Sequence, residues 1–168
     1  MPLDVVVGLG KGTNTINLAS LPAIVSSTPS FIYDLGGSDT INGAGMTGNL
    51  WIAGGAGADT MTGGSGVNDY LFGSTNDSTA KAMDIITNFH AAVDLLDFTG
   101  LGSKFGQIVA LAPGATSLIG NSIGWQTSGG NTFVYVNTGG NASALTSVNM
   151  TIELQGTVPL ANNNFVHL

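Results

Sequence analysis

Aligning the chain on a glycine with aspartate or asparagine two residues later gives a repeating segment: Gly12-Thr-Asn14-Thr-Ile16, Gly37-Ser-Asp39-Thr-Ile41, Gly57-Ala-Asp59-Thr-Met61 and Gly66-Val-Asn68-Asp-Tyr70. A fifth unit, Gly48-Asn-Leu50-Trp-Ile52, carries leucine in the polar place. The large apolar residue recurs at 16, 41, 52, 61 and 70, so its spacing runs 25, 11, 9 and 9. A repeat this short restricts the chain to stacked supersecondary units, each unable to bury its apolar face alone. Nine residues divide into a turn of about six and a strand of about three that sends one large side chain inward, so that two units complete a coil. The glycines supply the positive φ angles that so tight a turn requires. An aspartate closing the turn, with backbone carbonyls turned outward, makes an all-oxygen nest suited to Ca²⁺.

Composition narrows the reading further. The chain has 168 residues and 26 glycines, yet 43% of it is hydrophobic and regularly spaced, which separates it from disordered glycine-rich sequence. Only 8% is charged, with three lysine or arginine residues against ten acids. No basic stripe exists to neutralise phosphates or hold an anionic membrane, so nucleic acid and membrane insertion are excluded as partners. The absence of cysteine removes disulfides, thiolate metal sites and thiol nucleophiles together. Met1 to Gly12 lacks a basic, cleavable leader pattern. The acids are unevenly placed: Asp34, Asp39, Asp59, Asp69, Asp77, Asp84, Asp94 and Asp97 all fall between residues 34 and 97.

Gly54-Gly55-Ala56-Gly57-Ala58-Asp59-Thr60-Met61-Thr62 fits the nonapeptide G-G-x-G-x-D-x-U-x at every fixed position, and the chain resembles the RTX (hemolysin-type calcium-binding repeat) family. Gly63 to Leu71 resembles the next repeat, with Asn68 in the aspartate place. Asp84 to Leu101 is similar to the segment that follows the roll in serralysin-type C-terminal domains, and Met150 to Leu160 and Asn164 to Leu168 to that family's last strands and apolar tail. The resemblance implies a calcium ion between turns two repeats apart, taking the aspartate of each plus carbonyls. Asp39 then pairs with Asp59 and Leu50 with Asn68, so one edge keeps a two-carboxylate site and the other has lost it. The candidate metal residues are Asp39, Asp59, Gly37, Gly55, Gly57, Asn68 and Asp69, with Ca²⁺ as the cofactor. The alternative for Asp39 and Asp59 is simple capping of a Gly-rich turn. Asp69, Asp84, Asp94 and Asp97 either hold a second ion or are solvated strand positions.

The expected fold is all-β, a short parallel β-roll followed by an antiparallel β-sandwich or jelly-roll-like part. Residues 1–72 form the degenerate roll with N-terminal strands, 73–83 a Ser/Thr/Asn/Asp-rich loop, and 84–168 the serralysin-type C-terminal region with its secretion signal. Strands are predicted at Gln107 to Ala112, Ser117 to Trp125, Thr132 to Asn137 and Met150 to Leu154, punctuated by Pro113-Gly114, Gly129-Gly130 and Gly139-Gly140. A short helical turn is predicted between Leu101 and Phe105. Phe133/Tyr135 and Val134/Val136 alternate, which predicts burial on both faces of that strand. Residues 18 to 33 interrupt the repeats, as a loop or an exchanged arm.

Nothing points to catalysis. His90 and His167 have no partner in a nucleophile or zinc motif, and Gly43-Ala-Gly45-Met-Thr-Gly48 satisfies a dinucleotide fingerprint only literally, with no helix after it. The residues that define serralysin catalysis are absent. Trp51, Trp125, Tyr33, Tyr70 and Tyr135 read as a sugar platform or as core aromatics, and Leu50-Trp51 as an outward apolar pair suited to a subunit contact. The starting Met1, the charge-poor second half and that pair favour a non-enzymatic secreted protein acting as an extracellular structural, self-assembling unit at the cell surface. The alternatives are the C-terminal calcium-binding and type I secretion module of a larger hydrolase, and a carbohydrate-binding or adhesin module. Expected partners are further copies of the chain, the type I secretion apparatus and a cell-surface polysaccharide. One site of millimolar-range affinity contributes on the order of 1 kcal/mol at millimolar calcium, which predicts weak calcium dependence.

Overall fold

The computed structural model describes residues 6–8, 10–18 and 29–168. The chain winds as a flattened coil whose short strands alternate between two facing sheets. One sheet has six strands, all parallel, in the order Val6–Gly8, Ser30–Tyr33, Leu50–Ala53, Asn68–Leu71, Leu95–Asp97, Phe165–Val166. The other has eight, and its roll portion runs parallel through Thr15–Asn17, Thr40–Asn42, Thr60–Thr62 and Asp84–Ile86.

Register follows from the repeat. Ile16, Ile41 and Met61 lie opposite one another, and Ile86 and Leu154 continue the row. Across the interior, Ile32, Ile52, Tyr70, Leu96 and Phe165 form the corresponding row. All ten side chains are buried and belong to one hydrophobic core. Period-two alternation sends the intervening threonines and asparagines outward, where Thr62 and Thr87 hydroxyls meet at 2.8 Å.

The fold is all-β, a parallel roll leading into antiparallel strands. Those strands extend the roll's own sheet: Met150–Leu154 pairs parallel with Asp84–Ile86, Asn131–Asn137 pairs antiparallel with Met150–Leu154, and Ser122–Ser128 follows as a hairpin partner. Gln107–Ala110 closes that side in parallel. The core is therefore continuous through both parts. The 73–83 segment is bound to the C-terminal region: Ser78 is buried, its hydroxyl donates to the Thr151 carbonyl at 2.6 Å, and the Asp84 N–H donates to it at 2.8 Å. Helix among the described residues is confined to three short 3₁₀ turns, the first at Thr99–Leu101, just before the predicted position.

Several expectations change. The 18–33 interruption contains a strand, Ser30–Tyr33, second in the six-stranded sheet between Val6–Gly8 and Leu50–Ala53, while residues 19–28 lie outside the described residues. Leu50 is fully buried and only Trp51 faces out, because adjacent strand residues take opposite faces. Trp51 stacks edge-on against Phe31 with ring centroids 4.4 Å apart. Trp125 packs against the core beside Phe165, and Tyr70 is inside, so the five aromatics do not share a platform. Val134 and Val136 are buried, while Phe133 and Tyr135 on the other face are half-buried.

The turns stack so closely that side chains cannot intervene. Gly57 has φ +149°, and a Cβ there would collide with the Gly37 carbonyl of the coil below. Gly129, φ +60°, faces open space. Gly57→Ala is expected to cost more than about 3 kcal/mol through strain and loss of turn stacking, and Gly129→Ala about 1–2 kcal/mol through backbone angle alone. Urea denaturation at fixed calcium measures both, and equal costs would contradict the stacked-turn account.

Candidate metal centre

Two edges connect the sheets, and they differ in chemistry. On the first, the turns leading into the eight-stranded sheet carry Asn14, Asp39, Asp59 and Asp84 in corresponding places. Each side-chain oxygen holds the coil before it: the Asn14 N–H donates to Asp39 Oδ1 at 2.7 Å, the Asp39 N–H to Asp59 Oδ1 at 2.8 Å, and the Asp59 N–H to Asp84 Oδ1 at 2.9 Å. Asp39, Asp59 and Asp84 are all buried. The second oxygens of Asp39 and Asp59 are also buried and have no hydrogen-bond partner among the described residues. An unsatisfied buried carboxylate oxygen is costly, and a cation removes that cost.

Glycines create the room. A Cβ on Gly54 would collide with Asp59 Oδ2, one on Gly37 with the Gly12 carbonyl, and one on Gly55, φ +80°, would lie 2.7 Å from the Asp34 carbonyl. Stacking sets Gly36–Gly37 directly against Ala56–Gly57 in parallel register. Carboxylate and carbonyl oxygens thus gather at one edge without a side chain between them, which is the donor set of a hard cation such as Ca²⁺. No group of three or more His, Cys, Asp or Glu side chains with metal-holding geometry exists among the described residues, so a cation held here would draw its remaining ligands from backbone carbonyls or water.

The second edge is closed by hydrogen bonds. Asn68 is fully buried, and its Nδ2 donates to the Gly64 carbonyl (3.1 Å), the Gly66 carbonyl (3.1 Å) and Asp94 Oδ1 (2.9 Å). Its Oδ1 accepts the Gly64 N–H at 2.8 Å. Asp94 Oδ1 also accepts the Asn68 N–H at 2.9 Å, and Oδ2 the His90 N–H at 2.8 Å.

The seven candidate residues therefore separate. Gly37, Asp39, Gly55, Gly57 and Asp59 converge on the first edge, Asn68 lies on the second, and Asp69 is on the outward face of the six-stranded sheet beside Trp51. Asp84, the first residue of its strand, and Asp94, just before a strand, are both buried and not solvated. Asp84 extends the first ladder and Asp94 the second. Their signal was present in sequence: Asp84-x-Ile86 and Asp94-x-Leu96 repeat the Asp59-x-Met61 pattern. Asp34, also buried, was another first-edge acid outside the candidate set.

The family model described as Peptidase M10 serralysin C terminal matches residues 45–167. The chain belongs to this family. Among solved structures, this serralysin C-terminal domain is similar to the AlgE6R2 subunit of the Azotobacter vinelandii mannuronan C5-epimerase, at 21% identity and TM-score 0.60, over 99% of this chain and 93% of that one. The AlgE6R3 subunit of the same enzyme matches at 21% identity and TM-score 0.58, over 93% of this chain and 78% of that one. These likenesses establish the RTX-type β-roll fold. No curated protein matches the sequence.

Burial and mutual repulsion shape the domain's acids. Burial pushes the Asp59 carboxyl up to about 7, with Asp39, Asp34 and Asp77 adding repulsion. Asp84 is pushed up to about 9 by burial and by Asp59, Asp77 and Asp39, and Asp39 is raised by burial, then by Asp34. Asp69 is pushed up to about 6 by burial and Asp97. Each folded-state pKa exceeds the unfolded value, so the native state keeps protons that the unfolded chain releases. Stability in chelator should fall as pH rises from about 4 to about 9, the window between the unfolded values and that of Asp84. Thermal melts across that range check the sign, and Asp84→Asn should flatten the upper part of the slope.

Proposed function

We propose that this chain is a non-catalytic, calcium-binding β-roll module of a secreted protein, with one ion held between the Asp39 and Asp59 turns. The observation that carries the reading is the contrast between edges: on the second, Asn68 and Asp94 satisfy each other's turn, and on the first Asp39 and Asp59 each keep a buried carboxylate oxygen without a hydrogen-bond partner among the described residues. Bound there, Ca²⁺ would neutralise converging carboxylates and fasten two consecutive coils. Serralysin C-terminal and other RTX-type domains are generally calcium-binding and typically non-catalytic, and no helix among the described residues is long and apolar enough to cross a membrane. Export through the type I apparatus fits that family membership.

The support for a structural, self-associating role is an outward stripe on the six-stranded sheet: Phe31, Tyr33 and Trp51 are exposed, as is Leu35 just past the end of its strand. The net charge of −7 opposes association, so the apolar area of this stripe is what would drive it. A second copy is the occupant we assign to this stripe. The related solved structures are subunits of a mannuronan C5-epimerase, so a module serving a larger secreted enzyme, or binding a surface polysaccharide, is the competing role.

Calorimetric titration should find one calcium ion per chain at about 10⁻⁴–10⁻³ M, abolished in Asp39→Ala/Asp59→Ala. Millimolar calcium should raise Tm by only a few degrees, about 2–4 °C per kcal/mol for a domain of this size. Unchanged calcium affinity in the double variant refutes the site, and a shift of tens of degrees refutes the modest share of stability assigned to it. In sedimentation velocity, concentration-dependent association should be lost on Phe31→Ser/Trp51→Ser; a monomer at every concentration overturns the self-association reading.

A further inference from the structure

We infer that Asn68 is a built-in substitute for a cation, and that this single side chain decides that the second edge of the roll takes no metal. The inference rests on the reading of the Asp39 and Asp59 turns as calcium turns. It extends that reading to the turns that lack aspartate.

The geometry repeats at two places. Asn68 Nδ2 gathers the carbonyls two and four residues before it, Gly66 and Gly64, together with a carboxylate oxygen of another coil, Asp94 Oδ1. Asn14 Nδ2 gathers the carbonyls two and four residues before it, Gly12 at 2.5 Å and Gly10 at 3.2 Å, and approaches Asp34 Oδ2 at 3.5 Å. In each case an amide nitrogen with its partial positive charge sits where three oxygens converge. The equivalent positions before Asp59 are Gly57 and Gly55, and before Asp39 they are Gly37 and Leu35. A carboxylate has no N–H to offer those carbonyls, so an aspartate turn presents oxygen alone.

Asparagine and aspartate have nearly the same shape. Exchanging Asn68 for aspartate keeps the oxygen that accepts the Gly64 N–H, removes the donor, and leaves Gly64 O, Gly66 O and two carboxylates facing one another at a fully buried side-chain position. That is the chemistry of an unfilled hard-cation site.

The test is Asn68→Asp, with Asn68→Ala as control and Asn14→Asp at the half-buried first turn as the variant that tolerates change. In chelator, Asn68→Asp should melt on the order of 10 °C below the parent. Millimolar calcium should restore most of that loss, and calorimetry should count one ion more than the parent binds. Asn68→Ala should fall in chelator without recovery in calcium. Asn14→Asp should likewise gain one ion. Asn68→Asp that melts like the parent in chelator, or that falls and is not rescued while Asn14→Asp gains no ion, overturns the inference. If the parent binds no calcium but the Asn→Asp variants do, the substitution rule stands and the Asp39/Asp59 reading fails. If Asp39→Ala/Asp59→Ala abolishes calcium binding and neither Asn→Asp variant gains an ion, the reverse holds.

Discussion

Each coil of the roll is hung on the next by one kind of contact, a turn side chain whose oxygen accepts the N–H of the equivalent residue one coil earlier. The series Asn14, Asp39, Asp59, Asp84 makes three such bonds along one edge, and Asn68 to Asp94 repeats it on the other. A parallel strand of three residues has few ladder bonds of its own and tolerates slippage. Fixing the turn fixes the strand that follows it, and with it the inward row of Ile16, Ile41, Met61 and Ile86. Short side chains are required, because the turns approach to backbone contact and leave no room beyond glycine at the stacking points.

That ladder brings acids together. Stacking parallel coils puts equivalent residues one strand spacing apart, so an aspartate at the turn position meets another aspartate above it. The roll resolves the repulsion in two ways. Where asparagine meets aspartate, as Asn68 meets Asp94, an amide holds the oxygens; where Asp39 meets Asp59, each keeps a bare carboxylate oxygen. The same amide device reappears outside the repeats, where buried Asn137 gathers the carbonyls of Leu118, Ile119 and Asn141, and Asn164 holds those of Ala91 and Asp94. Asn164 thereby ties the C-terminal tail to the second edge. The antiparallel strands close the other side of the core, so cohesion rests on apolar packing through the whole chain as well as on any bound ion.

Much of the roll was legible from residue pattern. Gly37-x-Asp39-x-Ile41 and Gly57-x-Asp59-x-Met61 carry a turn, an oxygen donor and a core side chain within five residues, and local chemistry suffices to read them. Met150–Leu154 was placed as a strand with the bounds it has. Asp84 and Asp94 were left between two readings because loops of unequal length precede them: Thr60 pairs with Ile85 and Asp69 with Leu95, offsets of 25 and 26, after a register of 20 between Thr40 and Thr60. Ser30–Tyr33 was missed because no glycine turn announces it. Leu50-Trp51 gave two adjacent large apolar residues, and sequence alone could not say which one the strand turns inward.

By itself the sequence determined the turn type, the alternation within each strand and the kind of atom each turn presents, since these depend on residues a few positions apart. Only the tertiary structure decided which turns lie against one another and which polar atoms are left without a partner. Those outcomes depend on loop lengths and on coils brought together from 18 to 26 residues away. Asp59 and Asp94 are both buried carboxylates at a turn. One meets Asn68 and is satisfied, the other meets Asp39 and is not, and no local pattern distinguishes them.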